Sequence, residues 1–279
     1  MRFSKMQGIG NDFIIINCFE EDVPDPSRLA IQMCRTHYGV GADGLVLLEP
    51  ADGADVSMRI FNADGSESEM CGNALRCIGK YMYERGMTDQ NQLSVLTRGG
   101  IHELWMTVEE GVVTFVRADM GSPELSPRHI PVDLPGEIVL KHRLQMMGQT
   151  MFITCVNMGN PHTVIFVRDP EVIDLPVLGP MIEHHPLFPR RTNVEFVRVI
   201  KRDVLQMRVW ERGAGETLAC GTGACAALVA GVLTGSCDRS VQMKLAGGNL
   251  GLQWNAADNH VYMSGEANFV FDGIWEERV

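Results

Sequence analysis

One pattern recurs along the chain at a fixed spacing. Cys71-Gly72-Asn73-Ala74-Leu75-Arg76-Cys77 is answered by Cys220-Gly221-Thr222-Gly223-Ala224-Cys225, 149 residues later. Met58-Arg59-Ile60-Phe61-Asn62 falls on Met207-Arg208-Val209-Trp210-Glu211 at the same offset, and Glu67 falls on Glu216. Gly10-Asn11-Asp12-Phe13 falls on Gly159-Asn160-Pro161-His162, Gly44 on Asn193, and Trp105 on Trp254. The Gly99-Gly100 pair matches Gly247-Gly248 at 148. An offset held over most of each half means that one supersecondary plan is used twice. Duplication kept only for fold accounts for the apolar matches. It does not require Asn, Glu and Cys to recur at turns, so the repeat predicts a site built from both halves.

Secondary structure can be read onto this frame. In the first half, Phe13–Asn17, Gly44–Leu48, Val56–Phe61, Leu93–Leu96, His102–Val108 and Val112–Val116 are apolar or alternating runs bounded by Gly, Asp or Pro, and read as strands. Thr163–Val167, Val194–Val199, Leu205–Trp210, Val241–Leu245 and Gly251–Trp254 repeat them in the second. Cys71–Met82 and Cys220–Leu233 carry helical spacing after polar turns. One further helix is expected within Asp25–Thr36 and one within Leu175–His184. The expected class is α+β: two pseudo-symmetric domains, each a mostly antiparallel sheet around a central helix. Residues 1–120, joined by 265–279, form the expected N-terminal half and 121–264 the C-terminal half. The Pro-rich segment Ser122–Pro135 is the expected crossing point.

The balance of 24 basic against 35 acidic residues gives a net charge of −11, which argues against a nucleic-acid or anionic-membrane partner. The longest uninterrupted apolar stretch, about Cys225 to Leu233, is far short of the ~20 residues a membrane helix needs. MRFSKMQGIGND has neither the apolar core nor the cleavage site of an export signal. With no CxxC spacing and no nearby His pair, the eight cysteines read as reduced cytoplasmic thiols, not disulfides or a zinc set, and no metal site is expected. Cys18, Cys34, Cys155 and Cys237 read as packing residues, as do Cys77 and Cys225 farther along the two helices.

A cysteine at a helix start meets unpaired backbone N–H groups and the positive end of the macrodipole, and both favour a thiolate. Adjacent glycine lets a ligand approach the backbone, and glycine-flanked N–H groups suit a carboxylate. Two such starts suggest one chemistry. A carboxylate rests on the N–H groups, one thiolate removes the proton of the adjoining carbon, and the second thiol returns a proton to the opposite face. That is stereoinversion by two bases, a form of general acid–base catalysis.

The chain resembles the diaminopimelate epimerase family, cofactor-independent enzymes of lysine and peptidoglycan precursor synthesis. The resemblance rests on Gly8–Phe13, Tyr38–Gly44, Phe61–Ser66, Met70–Cys77, Met158–His162, Arg191–Glu195, Glu211–Thr217 and Ala219–Cys225. It implies Cys71 and Cys220 as the catalytic pair, and backbone N–H groups of Gly72, Asn73, Gly221 and Thr222 on the reacting carboxylate. It also implies that Asn11, Asn62, Asn160, Asn193, Glu211 and Arg212 hold the substrate's amino groups and distal carboxylate. His162 and Glu211 would tune the thiols. The residue chemistry agrees: Arg212 can clamp a carboxylate through two bonds and Glu211 can pair with an ammonium. The family also implies a homodimer.

Two departures stand out. Ala74-Leu75 replaces a glycine-containing segment usual after the first cysteine, and Gly44 replaces a polar residue found in some members. Other readings remain open from the residues alone. They are a proline-racemase-like enzyme or isomerase of the same superfamily, and a dithiol redox or ligand-binding protein. A pyridoxal phosphate racemase would need a Schiff-base lysine. None of Lys5, Lys80, Lys141, Lys201 and Lys244 lies in a convincing phosphate-binding context. His184-His185 reads as surface loop.

Overall fold

The computed structural model describes residues 1–276, so residues 277–279 of the expected C-terminal segment lie outside the described residues. In chain order the elements are β1 (Arg2–Gly8), β2 (Asn11–Asn17), α1 (Pro26–Cys34), β3 (Gly44–Glu49), β4 (Val56–Asn62), β5 (Glu67–Ser68), α2 (Gly72–Glu84), β6 (Gln92–Thr97), β7 (Gly100–Glu109) and β8 (Val112–Asp119). There follow β9 (His142–Met146), β10 (Gln149–Asn157), β11 (Pro161–Phe166), α3 (Leu175–Glu183), β12 (Asn193–Lys201), β13 (Val204–Glu211), β14 (Gly215–Thr217), α4 (Gly221–Leu233), β15 (Ser240–Leu245), β16 (Gly248–Trp254), β17 (Val261–Gly265) and β18 (Asn268–Ile274). They divide into two compact units: Met1–Ala118 with the chain from Ser264 onward, and Asp119–Met263. The Pro-rich segment belongs to the second unit. Met120 N–H donates to the Val261 carbonyl at 2.8 Å, and Glu124 bridges Asn157.

Within the first unit, β18, β1 and β2 are antiparallel, β2 and β3 parallel, and β3 and β4 antiparallel. The start of β4 runs parallel to β6, and β6, β7 and β8 are antiparallel. The second unit repeats this: β9, β10 and β11 antiparallel, β11 and β12 parallel, β12 and β13 antiparallel, β13 and β15 parallel, β15 and β16 antiparallel. β18 thus takes beside β1 the place that β9 takes beside β10. Most neighbouring pairs are antiparallel, as the α+β reading expects.

The repeat extends to register. Phe13 faces Gly44 and His162 faces Asn193; Leu45 faces Phe61 and Val194 faces Trp210; Phe61 faces Glu67 and Trp210 faces Glu216. Each pair is related by 149. Beyond α2 the offset shortens to 148, with Gln92 facing Trp105 and Ser240 facing Gln253.

The central helices explain the apolar runs. Residues Gly72 through Met82 of α2 are all buried, and α2 lies against β1 and β7. α4 is built largely of Gly, Ala, Val and Leu and is buried from Gly223 through Gly231. The outer face of the first sheet is covered by α1, whose Leu29, Ala30, Met33 and Cys34 pack with Ile14, Ile16, Leu45 and Leu47. With both faces covered, β2 buries Phe13, Ile14, Ile15 and Ile16 in succession instead of alternating. α3 covers the second sheet in the same way, packing Leu175 and Ile182 with Ile165, Val194 and Phe196.

Sequence reading leaves out β1, β5, β9, β10, β14, β17 and β18. β1 shows the reason: its Ser4 and Lys5 look exposed in the sequence but are buried. Lys5 pairs with Asp12 at 2.7 Å, and Ser4 donates to Asp272 at 2.6 Å.

Candidate active site

In the first unit the turn from β1 into β2 passes through Gly10 at φ +84, a conformation that favours glycine. The turn delivers Asn11 to the head of β2. Its Oδ1 accepts from Asn73 Nδ2 at 3.1 Å and from the Cys71 thiol at 3.7 Å, while its Nδ2 donates to Asp43 Oδ2 at 2.6 Å. The same Asp43 oxygen accepts the Asp12 N–H at 3.0 Å. Asp12 is held by Lys5, which also donates to the Gly41 carbonyl. Cys71 is the N-cap of α2 in extended conformation, and its side chain makes no capping bond. One turn on, Arg76 is fully buried; its guanidinium donates to Asn73 Oδ1 at 3.0 Å and to the Gly72 and Glu266 carbonyls at 3.3 Å each. Cys71, Gly72, Asn73 and Asn11 therefore form one connected group. Asn62 is engaged in its own turn, donating to Ser66 Oγ at 2.9 Å.

The second unit uses the same scaffold with different side-chain partners. Gly159, at φ +94, delivers Asn160 to the head of β11. Asn160 Oδ1 lies 2.8 Å from His162 Nε2, and His162 Nδ1 lies 2.6 Å from Glu195 Oε1. Both side chains of the His162–Glu195 pair are completely buried. Cys220 is the N-cap of α4, and here the sulfur does cap: Gly223 N–H donates to Sγ at 3.4 Å, with Thr222 Oγ1 at 3.5 Å. Gly221 opens the helix beside it. Asn193 donates to the Pro161 carbonyl at 2.8 Å and accepts the Arg212 N–H at 2.8 Å. Glu211 accepts from Thr217 Oγ1 at 2.5 Å, and Arg212 Nη1 donates to the Arg190 carbonyl at 3.2 Å.

The electrostatics of Cys220 differ from those expected of a helix-start cysteine. Burial pushes its thiol well above the ordinary range, and the carboxyl groups of Glu211 and Glu195 push in the same direction. The Thr222 and Gly223 hydrogen bonds oppose them and are outweighed. Desolvation also pushes Cys77 and Cys155 up to about 12, which leaves them inert fillers. His184 and His185 are occupied locally, with the Pro180 carbonyl and the Leu187 N–H. Among the described residues no three His, Cys, Asp or Glu side chains cluster as a metal set.

A family model described as diaminopimelate epimerase matches residues 3–126 and 154–270. The chain belongs to the diaminopimelate epimerase family. It is 54% identical over 273 residues to the diaminopimelate epimerase of Acetivibrio thermocellus, covering 98% of each chain. It is 54% identical over 280 residues to that of Pelotomaculum thermopropionicum, covering all of both. A solved structure of a probable proline racemase from Agrobacterium radiobacter shares the fold at a TM-score of 0.74 and 14% identity, covering 99% of this chain and 92% of the other.

Within this diaminopimelate epimerase family member, three supporting residues escape sequence reasoning. Asp43 orients Asn11, and buried Arg76 orients Asn73. Glu195 binds His162. Glu195 had a detectable signal: it is an acid inside the apolar run Val194–Val199, at the position of Val46 in the other half. Arg76 had none, because an arginine on a helix ordinarily reads as its solvated face.

Proposed function

We propose that the chain interconverts LL- and meso-diaminopimelate without a cofactor, with Cys71 and Cys220 as the two proton carriers. The observation that carries the reading is the pair of cysteine N-caps at matched positions of the repeated halves, each followed by glycine at the first helical residue. Inversion at one carbon needs a base for one face and an acid for the other, and each half supplies one thiol. Backbone N–H groups of Gly72, Asn73, Gly221 and Thr222 receive the carboxylate beside the reacting carbon. Asn11, Asn62, Asn160 and Asn193 orient the remaining polar groups, Glu211 pairs with an ammonium, and Arg212 takes the distal carboxylate.

Cys220 begins as the thiol, because its buried sulfur has carboxyl groups for neighbours. A substrate ammonium placed on Glu211 neutralises one of those charges and lowers the proton affinity of Cys220 when substrate is present. Glu211 and Arg212 favour a substrate charged at both ends over a proline-like one. The reading places the enzyme in the cytoplasm as a homodimer.

The deciding experiment uses purified, reduced protein with LL-diaminopimelate and no added cofactor. Formation of the meso isomer is expected. Failure to form it, with proline or hydroxyproline inverted instead, would transfer the site to the proline-racemase type.

A further inference from the structure

The repeat isolates one residue to which the two-thiol mechanism gives no role, Glu195, the partner of His162. At matched positions, Phe13 and Val46 in the first half become His162 and Glu195 in the second. Both pairs lie on neighbouring parallel strands in the same register. The first pair is ordinary apolar packing. The second is a hydrogen-bonded acid and imidazole with no exposed surface. Burying such groups is costly unless each is paired, so the substitution needs a reason beyond packing.

The surroundings supply one. A Cβ placed on Gly223 would lie 2.8 Å from Glu195 Oε1 and 3.2 Å from Cys220 Sγ. The carboxyl group and the sulfur therefore border the same small space, and glycine at 223 keeps it open. The two ring nitrogens of His162 face two oxygens, Glu195 Oε1 and Asn160 Oδ1. With Nε2–H donating to Asn160, a single proton remains for the 2.6 Å bond to Glu195. The pair is net neutral whichever atom carries that proton. Among the described residues Glu195 Oε2 has no hydrogen-bond partner, so a full negative charge there would be unsupported. Burial raises the carboxyl's proton affinity accordingly.

We infer that Glu195 is a positioning residue that acts through His162: one proton held between them fixes the imidazole tautomer, turns the amide of Asn160, and keeps net charge away from Cys220. With Oδ1 of Asn160 occupied by the ring, its Nδ2 is left to donate to a substrate oxygen. In the first half Asn11 is oriented by Asp43 and Asn73 instead, so Phe13 and Val46 suffice there. The inference rests on the proposed role of Cys220 as a proton carrier. The titratable groups facing Glu195 are His162 on β11, Glu211 on β13, Cys155 on β10 and Cys220 at the head of α4.

The test compares Glu195→Gln, Glu195→Val and the double variant His162→Phe/Glu195→Val, which installs the apolar pair of the first half. Two readouts are taken: epimerisation kinetics, and the pH dependence of Cys220 alkylation by iodoacetamide, located by peptide mapping. Glutamine can still donate to Nδ1 but cannot become negative. It is expected to keep kcat/KM at neutral pH within about 3-fold and to leave the alkylation midpoint of Cys220 and the alkaline limb of kcat/KM where they are, because the pair it replaces is already net neutral. Valine leaves Nδ1 bare and is expected to lower kcat/KM by about 10- to 100-fold, the range for losing a buried polar partner. The double variant is expected to fold and to show the same deficit, which separates positioning from packing. Glutamine as inactive as valine, valine as active as glutamine, or an alkylation midpoint moved clearly to lower pH in Glu195→Gln would each overturn the inference. The alkylation arm needs no turnover. Inactivity of the unaltered protein towards diaminopimelate would defeat the functional reading while leaving the role of Glu195 measurable.

Discussion

The two halves share strand order, register and a cysteine-capped central helix, yet they support that cysteine by different means. In the first half, Cys71 donates to Asn11, and polar order comes from Lys5, Asp12, Asp43 and Arg76. In the second, Cys220 accepts the Gly223 N–H, and order comes from His162, Glu195 and Glu211. At position 76 a buried arginine faces no equivalent, because its match is Cys225. Duplication preserves what sets backbone geometry, namely glycine turns and strand pairing. It leaves the charges around each sulfur free to diverge.

The sharpest way to break the comparison is to remove the sulfurs. Cys71→Ala and Cys220→Ala should each lower epimerisation by at least about 10²- to 10⁴-fold, the worth of a positioned acid or base. Circular dichroism should show both variants folded. Next in size is Arg212→Ala, which should raise KM for diaminopimelate about 10- to 100-fold by deleting a charge-assisted partner. Equal turnover of lysine by the unaltered enzyme would contradict the distal clamp.

The electrostatic contrast can be sharpened by pH. The Cys220 thiol lies above the ordinary range, partly because of Glu211, and removing a negative neighbour lowers a thiol's pKa. Glu211→Gln should therefore move the midpoint of Cys220 alkylation in the free enzyme to lower pH. Arg76→Met tests the first half: it leaves Asn73 Oδ1 and two carbonyls without their donor and should cost about 1–3 kcal/mol in urea unfolding. The smallest effects belong to Cys77→Ala and Cys225→Ala, buried in the helix cores, which should cost about 1 kcal/mol of stability and leave most activity.

Much of this was legible in the sequence because the repeat aligned the informative residues. The offset located both helix starts, and apolar runs marked β2, β3, β12 and β13 within a residue or two. The helices start one residue later than the cysteines, since an N-cap lies outside the helical conformation. β1 was hidden because its polar residues are paired across long sequence separations, Ser4 with Asp272 and Lys5 with Asp12. The proton affinity of Cys220 was misjudged for a related reason. The helix start is a local feature, whereas burial and the approach of Glu195 and Glu211 are products of the fold.

The central claim is that the two cysteines act on opposite faces of one carbon. It is tested most directly by incubating Cys71→Ala and Cys220→Ala separately in D2O with LL- and with meso-diaminopimelate, and following deuterium at the α-carbon by NMR. The account predicts no inversion by either variant. Any surviving exchange should be confined to one configuration of that carbon, and to the opposite one in the other variant. Inversion by either variant at near the rate of the unaltered enzyme, or exchange of the same configuration by both, would contradict it.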